Sequence, residues 1–385
     1  MLYYLSYVPI WLRQQGHEGL ADALSFFRVF EYVTFRAAGA AVTALMFSIV
    51  FGPRFIRWLR NLKVQQEYED RAREMMGGMT VDNVSKRGVP TMGGLLIVIA
   101  LDLSALLWAQ CNLQVTLTLV SVIVLALLGF YDDYSKIMQQ KSAGLTERIK
   151  LSVQTTLALV IGIFLWQMPE TTRLITEVMV PFYKQPILIG AGLVGLLVTI
   201  LAIVGSSNAV NLTDGLDGLA VGSTVMVSFV LLVFTYIAGH VEYAKHLNVP
   251  HIVGAGELSV VCAALIGASL GFLWFNCHPA LMFMGDTGAL ALGGALGIIA
   301  VLIHQPFILV IAGGVFVLEA GSVLLQRSWF KYTRHRTGTG QRIFLMAPLH
   351  HHFQKKSWHE NQVVIRFYIL GILFAVMALA TLKLR

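Results

Sequence analysis

Residues 208–220 read Asn-Ala-Val-Asn-Leu-Thr-Asp-Gly-Leu-Asp-Gly-Leu-Ala, a polar, acidic island between two stretches that are each apolar enough to cross a bilayer. Asn211, Asp214 and Asp217 recur every third residue, so on a helical turn they share one face. Gly215 and Gly218 let the backbone bend sharply or approach a ligand closely. A carboxylate at a membrane edge is costly unless a metal, a proton or a cation compensates it. A solvated loop with Asp helix caps accounts for one such acid and poorly for the whole string.

The chain around the island is 385 residues long, 56% hydrophobic and only 13% charged, with a mean hydropathy of +0.71. A soluble protein carries roughly twice that charged fraction, so the composition points to an integral membrane protein. Ten stretches are long and apolar enough to span ~30 Å of hydrocarbon, near 34–52, 91–109, 115–131, 150–168, 186–205, 218–238, 257–276, 288–304, 306–326 and 363–383. The eighth and ninth meet at His304-Gln305-Pro306, which reads as a tight hairpin. No soluble domain fits between them. The expected architecture is all-α, a polytopic membrane protein of one domain over 1–385, with an extended first loop about 53–90 and a His-rich last loop about 327–362. Cys111, Cys262 and Cys277 form no spaced framework, which speaks against a disulfide scaffold or a Cys-based zinc site. Residues 1–30 lack the pattern of a cleavable signal peptide.

The net charge of +7 invites a nucleic-acid reading, but its distribution argues against one. Nineteen of the 28 Lys and Arg residues fall in the loops after the first, third, fifth, seventh and ninth stretches. By the positive-inside rule these loops are cytoplasmic and both termini lie outside. Gly190-Ala191-Gly192-Leu193-Val194-Gly195 matches GxGxxG, yet it sits inside an apolar span with no preceding strand. It reads as a close-packing surface, as do Gly267-xxx-Gly271 and Gly293-xxx-Gly297.

All five cytoplasmic loops carry unusual polar residues. The first ends in Lys86-Arg87-Gly88-Val89-Pro90-Thr91-Met92-Gly93-Gly94, where Lys86 and Arg87 can meet phosphate as cations or serve only as membrane anchors. The second carries Asp132-Asp133 directly after an apolar run, followed by Lys136, Lys141, Arg148 and Lys150. Two adjacent acids at a helix C-terminus work against the helix dipole and against each other. A Mg²⁺ ion or basic partners offset both costs, leaving each acid as ligand or base. In the fourth loop Asp286 stands between Gly285 and Gly288, as a simple N-cap or as part of a phosphate or metal site at a helix N-terminus. The last loop holds His350, His351 and His352 in a row, which places them in a loop or at a helix start. Neutral imidazole binds metal and imidazolium hydrogen-bonds phosphate; zinc fits badly without spaced Cys or acidic partners. Asp102 and Glu319 fall within spans, where buried acids usually pair with a neighbour. Hard oxygen ligands, cations and histidines at one membrane surface suit Mg²⁺ and phosphoryl transfer with a lipid substrate.

These motifs (KRGVPTMGG, FYDDYSK, SNAVNLTDGLDGLA, FNCHPALMFMGDTG, FVLEAGSVLLQ and MAPLHHHF) occur in the order found in the polyprenyl-phosphate N-acetylhexosamine-1-phosphate transferases. The chain closely resembles the peptidoglycan branch of that superfamily from Met1 to the last span. The resemblance implies ten transmembrane helices, a homodimer in the bacterial inner membrane, an active site on the cytoplasmic face and a Mg²⁺ cofactor. It also implies transfer of phospho-MurNAc-pentapeptide from UDP-MurNAc-pentapeptide to undecaprenyl phosphate, with release of UMP. Asp132 and Asp133 match the family's paired acids, one of them the base toward the lipid phosphate, and Asp286 matches its magnesium-coordinating acid. Asn211, Asp214, Asp217, Asn276, Phe283 and Lys86 match residues lining the nucleotide site. Lys136, Lys150, His350, His351 and His352 match positions that handle phosphates or sugar. Gln65 to Asn83 is longer and more charged than the family pattern, and Gln354 stands where the pattern has Glu.

Two other functions fit parts of the pattern. A sibling enzyme would take a different UDP-N-acetylhexosamine; the stretch Trp358 to Phe367 favours the peptidoglycan branch. An anion transporter would place ionisable groups at mid-membrane on broken helices, whereas most acids here cluster at one surface.

Overall fold

The computed structural model describes residues 1–62, 88–138 and 144–384. Lys86, Arg87, Lys141 and the stretch Gln65 to Asn83 lie outside these described residues. Among the described residues, short helical turns over 2–31 lead into twelve helices of seven residues or more: α1 (Val33–Asn61), α2 (Gly94–Trp108), α3 (Leu113–Met138), α4 (Glu147–Gln167), α5 (Gly192–Thr213), α6 (Leu219–Ala238), α7 (Glu257–Asn276), α8 (Gly285–Leu302), α9 (Pro306–Ala312), α10 (Gly314–Thr337), α11 (Leu349–Lys355) and α12 (Glu360–Ala380). The β-structure among the described residues is a two-residue antiparallel ribbon, Glu177–Val178 with Leu188–Ile189. Helices are the natural outcome in an apolar chain, because they satisfy every backbone N–H and C=O within one segment.

Among the described residues, eight helices are long and apolar enough to cross a membrane, and the bent pair α9–α10 makes a ninth. α2 is apolar but shorter, at 15 residues. Two expectations change here. The ninth stretch is not one straight helix: it breaks at Gly313 and bends by 85° between α9 and α10, with the ring of Phe374 packed where a Cβ of Gly314 would sit. A Gly-Gly pair is a usual place for such a kink. In addition, α3 runs on to Met138 and α5 to Thr213. Asp132, Asp133 and Asn211 are therefore helical residues rather than loop residues. Hydropathy marks the length that hydrocarbon needs, while a helix continues wherever protein packs around its polar end.

α8 is the central helix, with 89% of its apolar window buried, and α7 follows at 78%. α8 packs on α3 and α5; α7 packs on α1 and α6. Small residues make this possible. Side chains at Gly293 and Gly297 would collide with the α5 backbone at Ser206 and Ala202, and at Gly267 with Ala41 of α1, so these helices touch backbone to backbone. The pairs Gly267/Gly271 and Gly293/Gly297 do pack in this way, and Gly195 lies against the carbonyl of Ile175. Gly190, expected inside a span with no strand before it, instead follows the Leu188–Ile189 strand ahead of α5 and packs against nothing among the described residues. Chain alternation then brings the C-termini of α3, α5 and α7 to the same end as the N-termini of α2, α4, α6, α8 and α12. The polar motifs meet there. At the far end His304 turns α8 into α9 and its Nε2 lies 2.8 Å from the Glu177 carbonyl.

Candidate active site

Three carboxylates and two ammonium groups share one buried spot. Asp132 and Asp133 lie in the last turns of α3, nearly or fully buried, and Asp286 lies in the first turn of α8. Lys136, one turn beyond Asp132, places Nζ 2.6 Å from Asp132 Oδ2 and 3.2 Å from Asp286 Oδ2. Lys150, at the start of α4, reaches the same two oxygens at 2.8 and 2.5 Å. The acids that oppose the α3 dipole are thus offset by basic partners. Asp286 makes no side-chain cap of α8; its carboxylate faces the lysines instead.

The cap of α8 comes from another helix. Asp133 Oδ1 accepts the Asp286 N–H at 3.2 Å, and Oδ2 accepts the Thr287 N–H at 3.0 Å and its hydroxyl at 2.7 Å. Asp132 Oδ1 accepts the Leu145 N–H at 2.7 Å. Oxygens from Asp132, Asp133 and Asp286 lie within 4.8 Å of one another. An all-oxygen set of this kind suits Mg²⁺.

Beside this cluster opens a cavity of about 220 Å³, lined by Asp133, Asn211, Asp214, Gly215, Asp217, Asn276, Phe283 and Asp286 among others. The island forms one wall, but not as a helical face. α5 stops at Thr213, Asp214 is its C-cap, and Gly218 takes a left-handed φ of +81° to start α6. Asn211, Asp214 and Asp217 still line one cavity, because the chain turns around it. Burial and the neighbouring carboxylates Asp286, Asp133 and Asp217 push the Asp214 carboxyl up to about 8. Among the described residues the acids gathered here outnumber the lysines, which favours a cation or protons.

Asn276 works as a clamp. Its Oδ1 accepts the Gly218 N–H at 3.1 Å and its Nδ2 donates to the Met282 carbonyl at 2.8 Å. Phe283 is fixed through its backbone, which exchanges hydrogen bonds with Pro90 and Gly93 ahead of α2. Asp217 Oδ2 lies 2.9 Å from His278 Nδ1 and accepts the Ala280 N–H at 3.2 Å, while the Asp217 N–H donates to Glu360 Oε1 at 2.9 Å. Asp217, His278 and Glu360 thus join the island to the loop before α8 and to the start of α12.

The three histidines occupy a helix start, α11, where the rings of His350 and His351 lie 4.1 Å apart between centroids. His350 is buried, with Nδ1 3.1 Å from Glu319 Oε2 and its N–H 3.2 Å from Glu319 Oε1. Glu319, an intramembrane acid by sequence, has the paired partner expected of it. His351 Nδ1 lies 2.8 Å from Gln354 Oε1, so the departure from the family pattern at 354 retains an acceptor. His352 Nδ1 accepts the Leu345 N–H at 3.1 Å and its ring meets Phe344 edge-on.

The structure therefore gathers Asp132, Asp133, Lys136, Lys150, Asn211, Asp214, Asp217, Asn276, Phe283 and Asp286 around one spot, with His350 behind its wall. His351 and His352 are not among the lining residues, and Lys86 lies outside the described residues. Sequence reasoning passed over Thr91, which lines the cavity, and Thr287, His278 and Glu360. Glu360 looks like an ordinary first-turn acid of α12, and nothing local signals its long-range partner.

Residues 115–304 match the model of Glycosyl transferase family 4. The chain is 47% identical to a phospho-N-acetylmuramoyl-pentapeptide-transferase of Methylacidiphilum infernorum over 386 residues, covering 100% of both chains. It is 47% identical to the enzyme of that name from Desulfotalea psychrophila, covering 95% of this chain and 98% of the relative. With the Chlorobium luteolum protein of the same name it shares 48% identity over 93% of this chain and 95% of the relative. Identity at this level over 93% or more of the chain means that it belongs to the phospho-N-acetylmuramoyl-pentapeptide-transferases and is an enzyme.

Proposed function

We propose that this enzyme transfers phospho-MurNAc-pentapeptide from UDP-MurNAc-pentapeptide to undecaprenyl phosphate, releasing UMP, in a Mg²⁺-dependent step of peptidoglycan synthesis. The observation that carries the reading is the cluster itself: carboxylate oxygens of Asp132, Asp133 and Asp286 lie within 4.8 Å of one another, Lys136 and Lys150 bridge Asp132 and Asp286, and Asp214 and Asp217 line the cavity beside them. Two anionic phosphate substrates meet repulsion there unless a divalent cation enters with them. Asp286 is the ligand we assign to Mg²⁺, with Asp132 and Asp133 beside it. When bound, the ion supplies charge neutralisation on the donor's diphosphate.

The protein's own residues do the rest. Lys136 and Lys150 hold Asp132 and Asp286 in place and present ammonium protons to phosphoryl oxygens. Asp132 and Asp133 serve as the basic pair, Asp133 also aiming the N-terminus of α8 at the cavity. Asn211, Asp214, Asp217, Asn276 and Phe283 form the wall for the nucleotide. Ten crossings follow if α9–α10 and the shorter α2 join the eight long helices, with the site on the cytoplasmic face where Lys and Arg concentrate.

The test is UMP release by purified protein given Mg²⁺, undecaprenyl phosphate and UDP-MurNAc-pentapeptide. Asp286→Asn is expected to lower the rate by about 10²-fold or more, and chelation of Mg²⁺ to abolish turnover. UMP formed from UDP-GlcNAc but not from the pentapeptide donor would move the assignment to a sibling substrate. Near-normal turnover in Asp286→Asn would remove the metal-ligand role.

A further inference from the structure

His350 carries a nitrogen that the arrangement leaves over. Its side chain is 1% exposed and that of Glu319 is fully buried. Nδ1 faces the Glu319 carboxylate at 3.1 Å, and the same carboxylate accepts the His350 backbone N–H. A carboxylate can only accept, so Nδ1 bears the proton in this contact. Nε2 is then the free atom of the ring, and it is buried without a hydrogen-bond partner. It points at Gly215, where any Cβ would collide with it. Gly215 lines the cavity between Asp214 and Leu216. A buried, unpartnered imidazole nitrogen is unfavourable unless a ligand atom completes it.

We propose that Glu319 is a positioning residue for substrate recognition: it fixes the His350 ring so that Nε2 accepts a hydrogen bond from the donor substrate at the Gly215 turn. The inference rests on the function proposed above. With Nδ1–H committed to Glu319, the ring in its neutral form offers Nε2 as an acceptor. Its partner is therefore a hydroxyl or amide N–H of the nucleotide sugar. Hydroxyl and amide groups suit the acidic side chains of Asp214 and Asp217, which flank the turn. Gly215 covers Nε2 in this structure, so contact requires a small displacement of the turn as the donor enters. The absence of a side chain at 215 is what brings the imidazole to the cavity wall.

Two variants test this: Glu319→Leu, which removes the acceptor at similar size, and Glu319→Gln, which retains an oxygen. Glu319→Leu is expected to raise KM for UDP-MurNAc-pentapeptide about tenfold or more, the scale seen when a carboxylate that orients a ligating histidine is lost, with a smaller change in kcat. Glu319→Gln is expected to stay within about threefold of the parent. A parallel rise in Kd for UMP locates the hydrogen-bonding group on the nucleoside; unchanged UMP affinity locates it on the sugar. Glu319→Gln as impaired as Glu319→Leu, or a fall in kcat with both affinities unchanged, would overturn the proposal. A readout without turnover separates it from the assigned reaction: ¹⁵N-histidine spectra, with His350 identified by its loss in His350→Gln. Protonation at Nδ1 is expected in the parent and in Glu319→Gln, and its loss in Glu319→Leu. A parent ring protonated at Nε2, alone or together with Nδ1, sinks the idea even if the protein turns over a different donor.

Discussion

Asp214 shows what crowding does to a single residue. Its carboxyl is held up to about 8 by burial first and then by Asp286, Asp133 and Asp217. Between the ordinary 3.8 and about 8 the folded chain keeps a proton at Asp214 that the unfolded chain has released. Stability therefore falls as pH rises through that window and levels off above it. In metal-free buffer, the melting temperature of Asp214→Asn minus that of the parent is expected to grow from pH 4 to pH 8. A flat difference would mean that the crowding is relieved in some other way. Residue identity and spacing made this acid visible in the sequence. Its neighbours were not visible, because Asp133 and Asp286 lie on other helices and are distant in the chain. The same holds for Thr287 and Glu360, whose ordinary local readings are correct as far as they go.

At the scale of the element, the instructive case is α8. The sequence leaves Asp286 in its first turn either as a cap or as part of a metal or phosphate site. The helix instead receives its cap from Asp133 of α3, which accepts two backbone N–H groups and the Thr287 hydroxyl. One side chain thus serves both the cluster and the fold. Asp133→Ala is expected to lose activity and, in addition, about 1–3 kcal/mol of stability from the unsatisfied N–H groups. Asp286→Ala leaves the cap intact and is expected to show a much smaller change in a denaturation experiment. Equal stability losses in the two variants would contradict this division of labour. Helix existence was legible from hydropathy for nearly every long helix. The ends were not, because the polar turns of α3 and α5 are sheltered by protein rather than by lipid. The break at Gly313 was also missed, since an apolar run looks the same whether straight or bent.

For the whole molecule, the bundle is tied at the end away from the cluster by a buried pair. Arg36 of α1 holds Glu257 of α7 through two contacts of 2.5 and 2.6 Å, and Glu257 also accepts the Gln110 N–H at 2.8 Å. Glu257 and Asn276 are the two ends of α7, about 28 Å apart at 1.5 Å per residue. Glu257→Ala leaves a buried guanidinium unpaired and is expected to cost about 3–5 kcal/mol, and replacing both partners by Met and Leu to recover most of that. UMP release per folded molecule is expected to stay near normal in the double variant; a collapse of activity would tie the two ends together more closely than packing does. The sequence by itself determined the membrane class, the helical architecture, the clustering of basic residues in alternate loops and the identities of the acids and lysines. Each of those follows from local composition or from a contiguous motif. Only the tertiary structure decided which acid caps α8, that the island is a turn around a cavity, and that His350 is buried against Glu319 behind that cavity. These depend on contacts between residues more than 30 positions apart, which are set by how small-residue helix faces pack and which no local pattern encodes.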